Sequence, residues 1–249
     1  MVKFIRKIKK RFNLSHHYIF WTYFTTSSII IIWFCVRLFC QQDLLEQFTK
    51  DDQFVFDKIA IEEWFASGFK GDNQTGYPIE IVPNIIHYLL LKQHYISFAH
   101  YISLKSVIRN HKPDLIMIHC DCDKLEGKFW VRIKSEEKHV NITIRTIELH
   151  DEIFGVKYSR DYKLWHASDV LRNKVLLEFG GIYLDRDVYV VKSLDKFRRY
   201  EMVAGLEYDN FGTQIQIAHK NARFLKLYLL SYKLYDPKKW YYNAGILPM

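Results

Sequence analysis

The sequence predicts an α/β domain with a largely parallel sheet, set behind an N-terminal membrane-spanning helix. Three observations carry this reading. A nineteen-residue uncharged span follows a basic N-terminus, strand-like and helix-like segments alternate from Ile81 onward, and a diglycine joins a long amphipathic helix to an apolar run. With 249 residues, 49% hydrophobic and 16% aromatic, the chain has material for one ordinary core plus an appendage.

The basic tail, residues 1–17, holds Lys3, Arg6, Lys7, Lys9, Lys10 and Arg11. These six supply most of the net charge of +8, since the remaining 30 basic residues face 28 acidic ones. The excess is a tail rather than a binding face, and no RNP, zinc-finger or Gly-rich phosphate-loop pattern accompanies it, so a nucleic-acid partner is not expected. Next comes YIFWTYFTTSSIIIIWFCV, residues 18–36, with Trp21, Tyr23 and Trp33 near its ends. It is long enough to span a bilayer. A buried core helix and a cleavable signal peptide are the competing readings. The preceding charge run argues against the first, and the length and lack of a small-residue cleavage pattern argue against the second. A retained signal anchor over 18–39 follows, its basic end cytosolic. Two glycosylation sequons, Asn73-Gln74-Thr75 and Asn141-Ile142-Thr143, lie beyond it, on the expected lumenal side.

Residues 40–80 carry nine acidic and three basic residues and read as a stem. The domain from 81 to 249 then offers strands near 84–90, 114–120, 141–148, 182–191, 201–207 and 213–218, with helices near 97–110, 160–179 and 221–234. Cys35 and Cys40 sit at the membrane exit, where inter-chain bridging or acylation is open to them. Cys120 and Cys122 stand two apart at a strand end and are expected to be free or paired elsewhere, because residues so spaced on a strand rarely bridge each other.

The segment HASDVLRNKVLLEFGG, residues 166–181, places Asp169, Arg172 and Asn173 in one helical sector and Lys174 and Glu178 on nearly the opposite side. Lys174 and Glu178 read as a solvated i,i+4 pair. Asp169 and Arg172 are either an ordinary surface pair or a stripe facing a cleft. Gly180 and Gly181 end the helix and turn the chain into GIYLDRDVYV. On a strand there, Ile182, Leu184, Val188 and Val190 line one face, and Tyr183, Asp185 and Asp187 the other, with Arg186 turned away. Two like charges on one face call for a positive partner. A hard divalent cation with oxygen ligands meets that need, and it leaves coordination positions for a diphosphate.

The run HASDVLRNKVLLEFGGIYLDRDVYVVKSLD, residues 166–195, resembles the DXD sugar-binding region of glycosyltransferase family 32, in its pattern of S-D-x-x-R followed by G-G-x-Y-x-D-x-D. VPNIIHYLL, from Val82, is similar to the first strand of that family. The resemblance implies a GT-A fold, a nucleotide-sugar donor such as a UDP-sugar, and Mn²⁺ or Mg²⁺ held by Asp185 and Asp187. It further implies donor contacts from Ser168, Asp169, Arg172, Tyr183 and Asp185, a glycolipid or glycoprotein acceptor, and retention of anomeric configuration. Anchor, stem and lumenal domain together imply a single-pass type II Golgi membrane enzyme. Members of the family continue past the segment matching YYNAGILPM, so a C-terminally incomplete domain is expected. A catalytically inactive, membrane-anchored sugar-nucleotide-binding relative is the alternative reading. A metal-dependent phosphohydrolase is a third, and it lacks a second acidic cluster.

Overall fold

A computed structural model describes residues 74–249. The tail, the uncharged span, nearly all of the stem, Cys35, Cys40 and Asn73 lie outside the described residues. No helix among the described residues is long and apolar enough to cross a membrane.

The chain runs through β1 (Ile85–Leu90), α1 (Phe98–Asn110), β2 (Leu115–Cys120), α2 (Lys128–Glu136) and β3 (Ile142–Thr146). A two-stranded flap of β4 (Glu152–Ile153) and β5 (Val156–Lys157) precedes α3 (Lys163–Phe179), β6 (Gly181–Leu184), β7 (Met202–Glu207), β8 (Asn210–Ala218) and α4 (Arg223–Ser231). One sheet has the order β3-β2-β1-β6-β8-β7. The β3/β2, β2/β1 and β1/β6 ladders are parallel, and β8 pairs antiparallel with both β6 and β7. The sheet is therefore mixed. Its antiparallel edge arises because β7 and β8 are joined by only Tyr208 and Asp209, and a two-residue connection can join only antiparallel strands.

The central strands β1, β2 and β6 are covered on both faces and are apolar at nearly every position. Ile86, Tyr88, Ile116, Ile118, Ile182 and Leu184 pack against α1 and α2 through Leu104, Val107, Trp130 and Ile133. Leu89, Tyr183 and Ala218 face the other way, onto Leu176 of α3 and Leu225 of α4.

Three expectations change. Helix α2 was not anticipated, although parallel neighbours such as β2 and β3 require a crossover; its buried Trp130 and Ile133 stand at helical spacing. The strand expected over 182–191 ends at Leu184. The amide of Asp185 still pairs with the carbonyl of Gln214, and the amide of Val188 then bonds the carbonyl of Asp185 to close a turn. Three charged residues in succession suit a solvated turn better than a ladder. Even so, Val188 and Val190 still pack with the core that holds Ile182 and Leu184. Finally, Cys120 and Cys122 are disulfide-bonded to each other. The expectation against this assumed a continuing strand, but the chain bends just after Cys120, which lets the second sulfur swing back.

Candidate active site

The strand order sets the location. β1 has β2 on one side and β6 on the other, so the chain departs in opposite directions from two adjacent parallel strands, and a crevice opens at their carboxyl ends. Gln93 follows β1, Asp185 to Asp187 follow β6, and Trp165, Ser168 and Arg172 of α3 form a wall of the resulting cavity of about 500 Å³. A second cavity, of about 880 Å³, shares Trp165, Ser168, Arg172, Asp185 and Asp187, and extends to the β7–β8 hairpin and to Trp240, Tyr241 and Ala244. The two meet at the acidic turn.

Arg172 is the hub of that meeting point. Nε bonds the Ser168 carbonyl at 3.2 Å, Nη1 the Thr213 carbonyl at 2.7 Å, and Nη2 the Ser168 hydroxyl at 3.1 Å. Nη2 also lies 3.1 Å from Oδ1 of Asp169 and Nη1 3.4 Å from Oδ1 of Asp185, two ion pairs of the same guanidinium. Three of the five N–H groups thus have protein acceptors, the two carboxylates are held as ion pairs, and the guanidinium lies over the Tyr183 ring at 4.7 Å. The side chains of Asp169 and Arg172 are 11% and 6% exposed, which removes the reading of a solvated helix pair. Tyr183 donates its hydroxyl to Oδ1 of Asp185 at 2.7 Å. Burial pushes Asp169 up to about 6, with Asp185 adding to the rise and Arg172 and the Thr213 hydroxyl opposing it. The positive partner demanded by paired carboxylates is therefore in part an arginine, shared between Asp169 and Asp185.

Asp187 is different. It is exposed, lines both cavities, and makes no hydrogen bond or ion pair among the described residues. Ser168, Asp169, Arg172, Tyr183 and Asp185 form one bonded cluster, and Asp187 stands outside it at the turn. No group of three or more His, Cys, Asp or Glu residues gathers as a metal cage among the described residues. The donor set nevertheless fits a hard cation of the Mg²⁺ or Mn²⁺ type, which is held by one or two carboxylates and completed by substrate phosphates and water. Asp187 and the second oxygen of Asp185 are the carboxylate oxygens left for it.

Arg186 does not turn away as expected. The strand alternation that would have placed it on the opposite face has ended, and it lines the first cavity and bonds Oε1 of Gln93 at 2.5 Å, tying the β6 turn to the loop after β1. Glu178 pairs with Arg145 of β3 at 2.8 Å, so its partner lies across the sheet.

The diglycine supports the cluster from below. Gly180 caps α3 at φ 66° and Gly181 enters β6 at φ 114°, both conformations that favour glycine. The Gly180 carbonyl accepts from Nε2 of His87 at 2.8 Å, so Nδ1 of His87 is the acceptor toward Nε2 of His119 at 3.0 Å. Both rings are neutral, held down by burial to about 4 for His87 and about 3 for His119.

The sequence matches, over residues 12–204, the family described as glycosyltransferase sugar-binding region containing DXD motif. The chain belongs to that family. The DXD is Asp185-Arg186-Asp187, at the junction of the two cavities. Glucan organizing enzyme 1 of Cryptococcus neoformans var. grubii is 27% identical over 188 residues, covering 68% of this chain and 49% of that protein. The chain thus spans about half the length of the curated relative it matches. The solved PaToxG glycosyltransferase is 22% identical and aligns with a TM-score of 0.50 over 69% of this chain and 68% of that one, a likeness of fold. The architecture is accordingly an α/β fold with a mixed sheet, similar to GT-A glycosyltransferases.

Sequence reasoning missed Gln93, Thr213, Gln214, Tyr208 and Trp240. They sit on loops and on the antiparallel hairpin, far in sequence from the DXD, and no spacing rule links them to it. Tyr241 and Ala244 of the YYNAGI segment are also part of a cavity wall.

Proposed function

We propose that this family member transfers a hexose or N-acetylhexosamine from a nucleotide-sugar, a UDP-sugar in the first instance, to a glycan acceptor, with a divalent cation and with retention of configuration. The single observation that carries the reading is the junction of two cavities at a buried Arg172–Asp169–Asp185 cluster beside an uncommitted Asp187. One cavity takes the nucleotide diphosphate and the other the acceptor. In the transfer, an acceptor hydroxyl oxygen bonds to the anomeric carbon, and the bond from that carbon to the phosphate oxygen breaks with its electron pair. The nucleoside diphosphate departs and receives the hydroxyl proton.

Asp187 and Asp185 would hold Mn²⁺ or Mg²⁺, which supplies charge stabilisation to the departing diphosphate. Arg172 acts as a positioning residue, because it is buried, bonded to the Ser168 and Thr213 carbonyls, and ion-paired with both carboxylates. It fixes the Asp169 and Asp185 carboxylates while Tyr183 holds Asp185 from the other side. Asp169 and Ser168 are left to meet donor hydroxyls. Residues 1–80 we read as cytosolic tail, type II signal anchor and stem, with the domain in the Golgi lumen; the basic tail, the uncharged span and the sequons support that reading.

Titration calorimetry of the full chain with UDP and Mn²⁺ tests the core of this proposal. Asp187→Asn should weaken Mn²⁺-dependent UDP binding by about tenfold or more, the loss of one charge-assisted contact. Unchanged affinity would make the DXD a surface turn. Binding of UDP-sugars without hydrolysis or transfer would identify the inactive relative instead.

A further inference from the structure

We infer that the larger cavity is built for a neutral oligosaccharide, with its pyranose faces laid on Tyr208 and Trp240. This rests on the transferase reading above and names the class of its acceptor.

Three observations converge. Tyr208 occupies the tip of the β7–β8 hairpin at φ 54°, a left-handed position where Asn, Asp or Gly is the unstrained choice. The residue is 91% exposed, so little packing within the domain offsets that strain, and strain of this kind gathers at binding sites. Second, Trp240 is 46% exposed yet held in place. Its carbonyl accepts from Nε2 of His166 at 2.9 Å, and its ring packs on Trp165 and Tyr162 at centroid distances of 5.3 and 5.0 Å. With Leu206, 70% exposed, these rings give the cavity an apolar rim around a polar floor of Asn210, Thr213 and Gln214. Flat apolar faces bordered by amide and hydroxyl groups complement a sugar ring, whose C–H faces are apolar and whose edges carry hydroxyls.

The charges select against acids. Asp169, Asp185, Asp187 and Glu207 line this cavity with Arg172 as its one basic residue among the described residues, and a divalent cation on Asp185 and Asp187 still leaves the lining negative, so a carboxylated, sulfated or phosphorylated glycan meets net repulsion. A neutral glycan does not.

Saturation-transfer NMR on the full chain, with short neutral hexose oligosaccharides, uronate oligosaccharides and phosphatidylcholine vesicles as probes, tests this, alongside calorimetric titration with UDP. The parent should bind neutral oligosaccharides. Tyr208→Ala should weaken that binding about tenfold, the worth of one aromatic contact, while its UDP affinity stays at the parent value. Trp240→Ala should weaken it further, and Trp240→Phe should recover part of the loss. Parent-like oligosaccharide binding by both alanine variants, or preference of the parent for uronates or vesicles, overturns the inference. Tyr208-dependent oligosaccharide binding in a chain that fails to bind UDP supports the inference and removes the donor reading instead.

Discussion

Arg172 and Asp169 show how one residue can decide what another does. A carboxylate so buried would cost several kcal/mol unpaired, and its arginine is divided between it and the more exposed Asp185, so Asp169 is incompletely compensated. Its folded value of about 6 lies above the ordinary carboxylate range. Between the two values the folded protein therefore binds more protons than the unfolded chain. The stability this confers is fully present below about pH 4 and is lost as pH rises through about 6, on the order of 3 kcal/mol in all. His87 and His119 act in the opposite sense: their folded values are depressed, so their contribution is present above the ordinary histidine range and falls away as pH drops. Comparing the parent with Asp169→Asn in denaturant titrations from pH 4 to 7 isolates the carboxylate. The asparagine variant should gain on the parent steadily across that range, and a constant difference would show that Asp169 titrates normally.

At the scale of elements, the decisive piece is the turn from α3 into β6. Gly181 sits so close to β1 that an added Cβ would lie 2.6 Å from the Ile85 carbonyl oxygen and 2.8 Å from Nε2 of His87. Gly181→Ala should therefore destabilise the domain by about 3 kcal/mol or more, combining backbone strain with displacement of the β1/β6 ladder. Gly155, at φ 76° between β4 and β5, has nothing within 4 Å of its Cβ position. Gly155→Ala should cost only about 1–2 kcal/mol. Thermal unfolding of the two variants measures the contrast, and equal shifts would mean that the close approach relaxes freely. The diglycine's role in ending a helix was legible from sequence, because glycine's backbone freedom is local. The end of β6 at Leu184 was not, because β1 and β8 both run on past its last pairs and β6 stops only where the Asp185–Val188 turn leaves the sheet.

For the whole molecule, the proposed topology leads to a prediction about the intact chain in animal cells. It should stay in the membrane pellet through alkaline carbonate extraction. Asn141 is exposed at the start of the edge strand β3, so it should carry an endoglycosidase-sensitive glycan that Asn141→Gln removes. Release into the medium as a soluble species would show that the apolar span is cleaved, and absence of the glycan would count against a lumenal domain.

The sequence alone determined the alternation of elements that makes an α/β domain, the helix sector shared by Asp169 and Arg172, the glycine turn and the DXD, since each depends on period, local conformation or spacing along the chain. Only the tertiary structure decided that the sheet is mixed, that Cys120 and Cys122 join, that Arg186 enters the cavity, and that Arg172 binds two carboxylates while Asp187 is left uncommitted. It also brought Thr213, Tyr208 and Trp240 to the same crevice. Those outcomes depend on which strands become neighbours and on which side chains compete for one guanidinium, and such competition is settled in space between residues that the chain holds far apart.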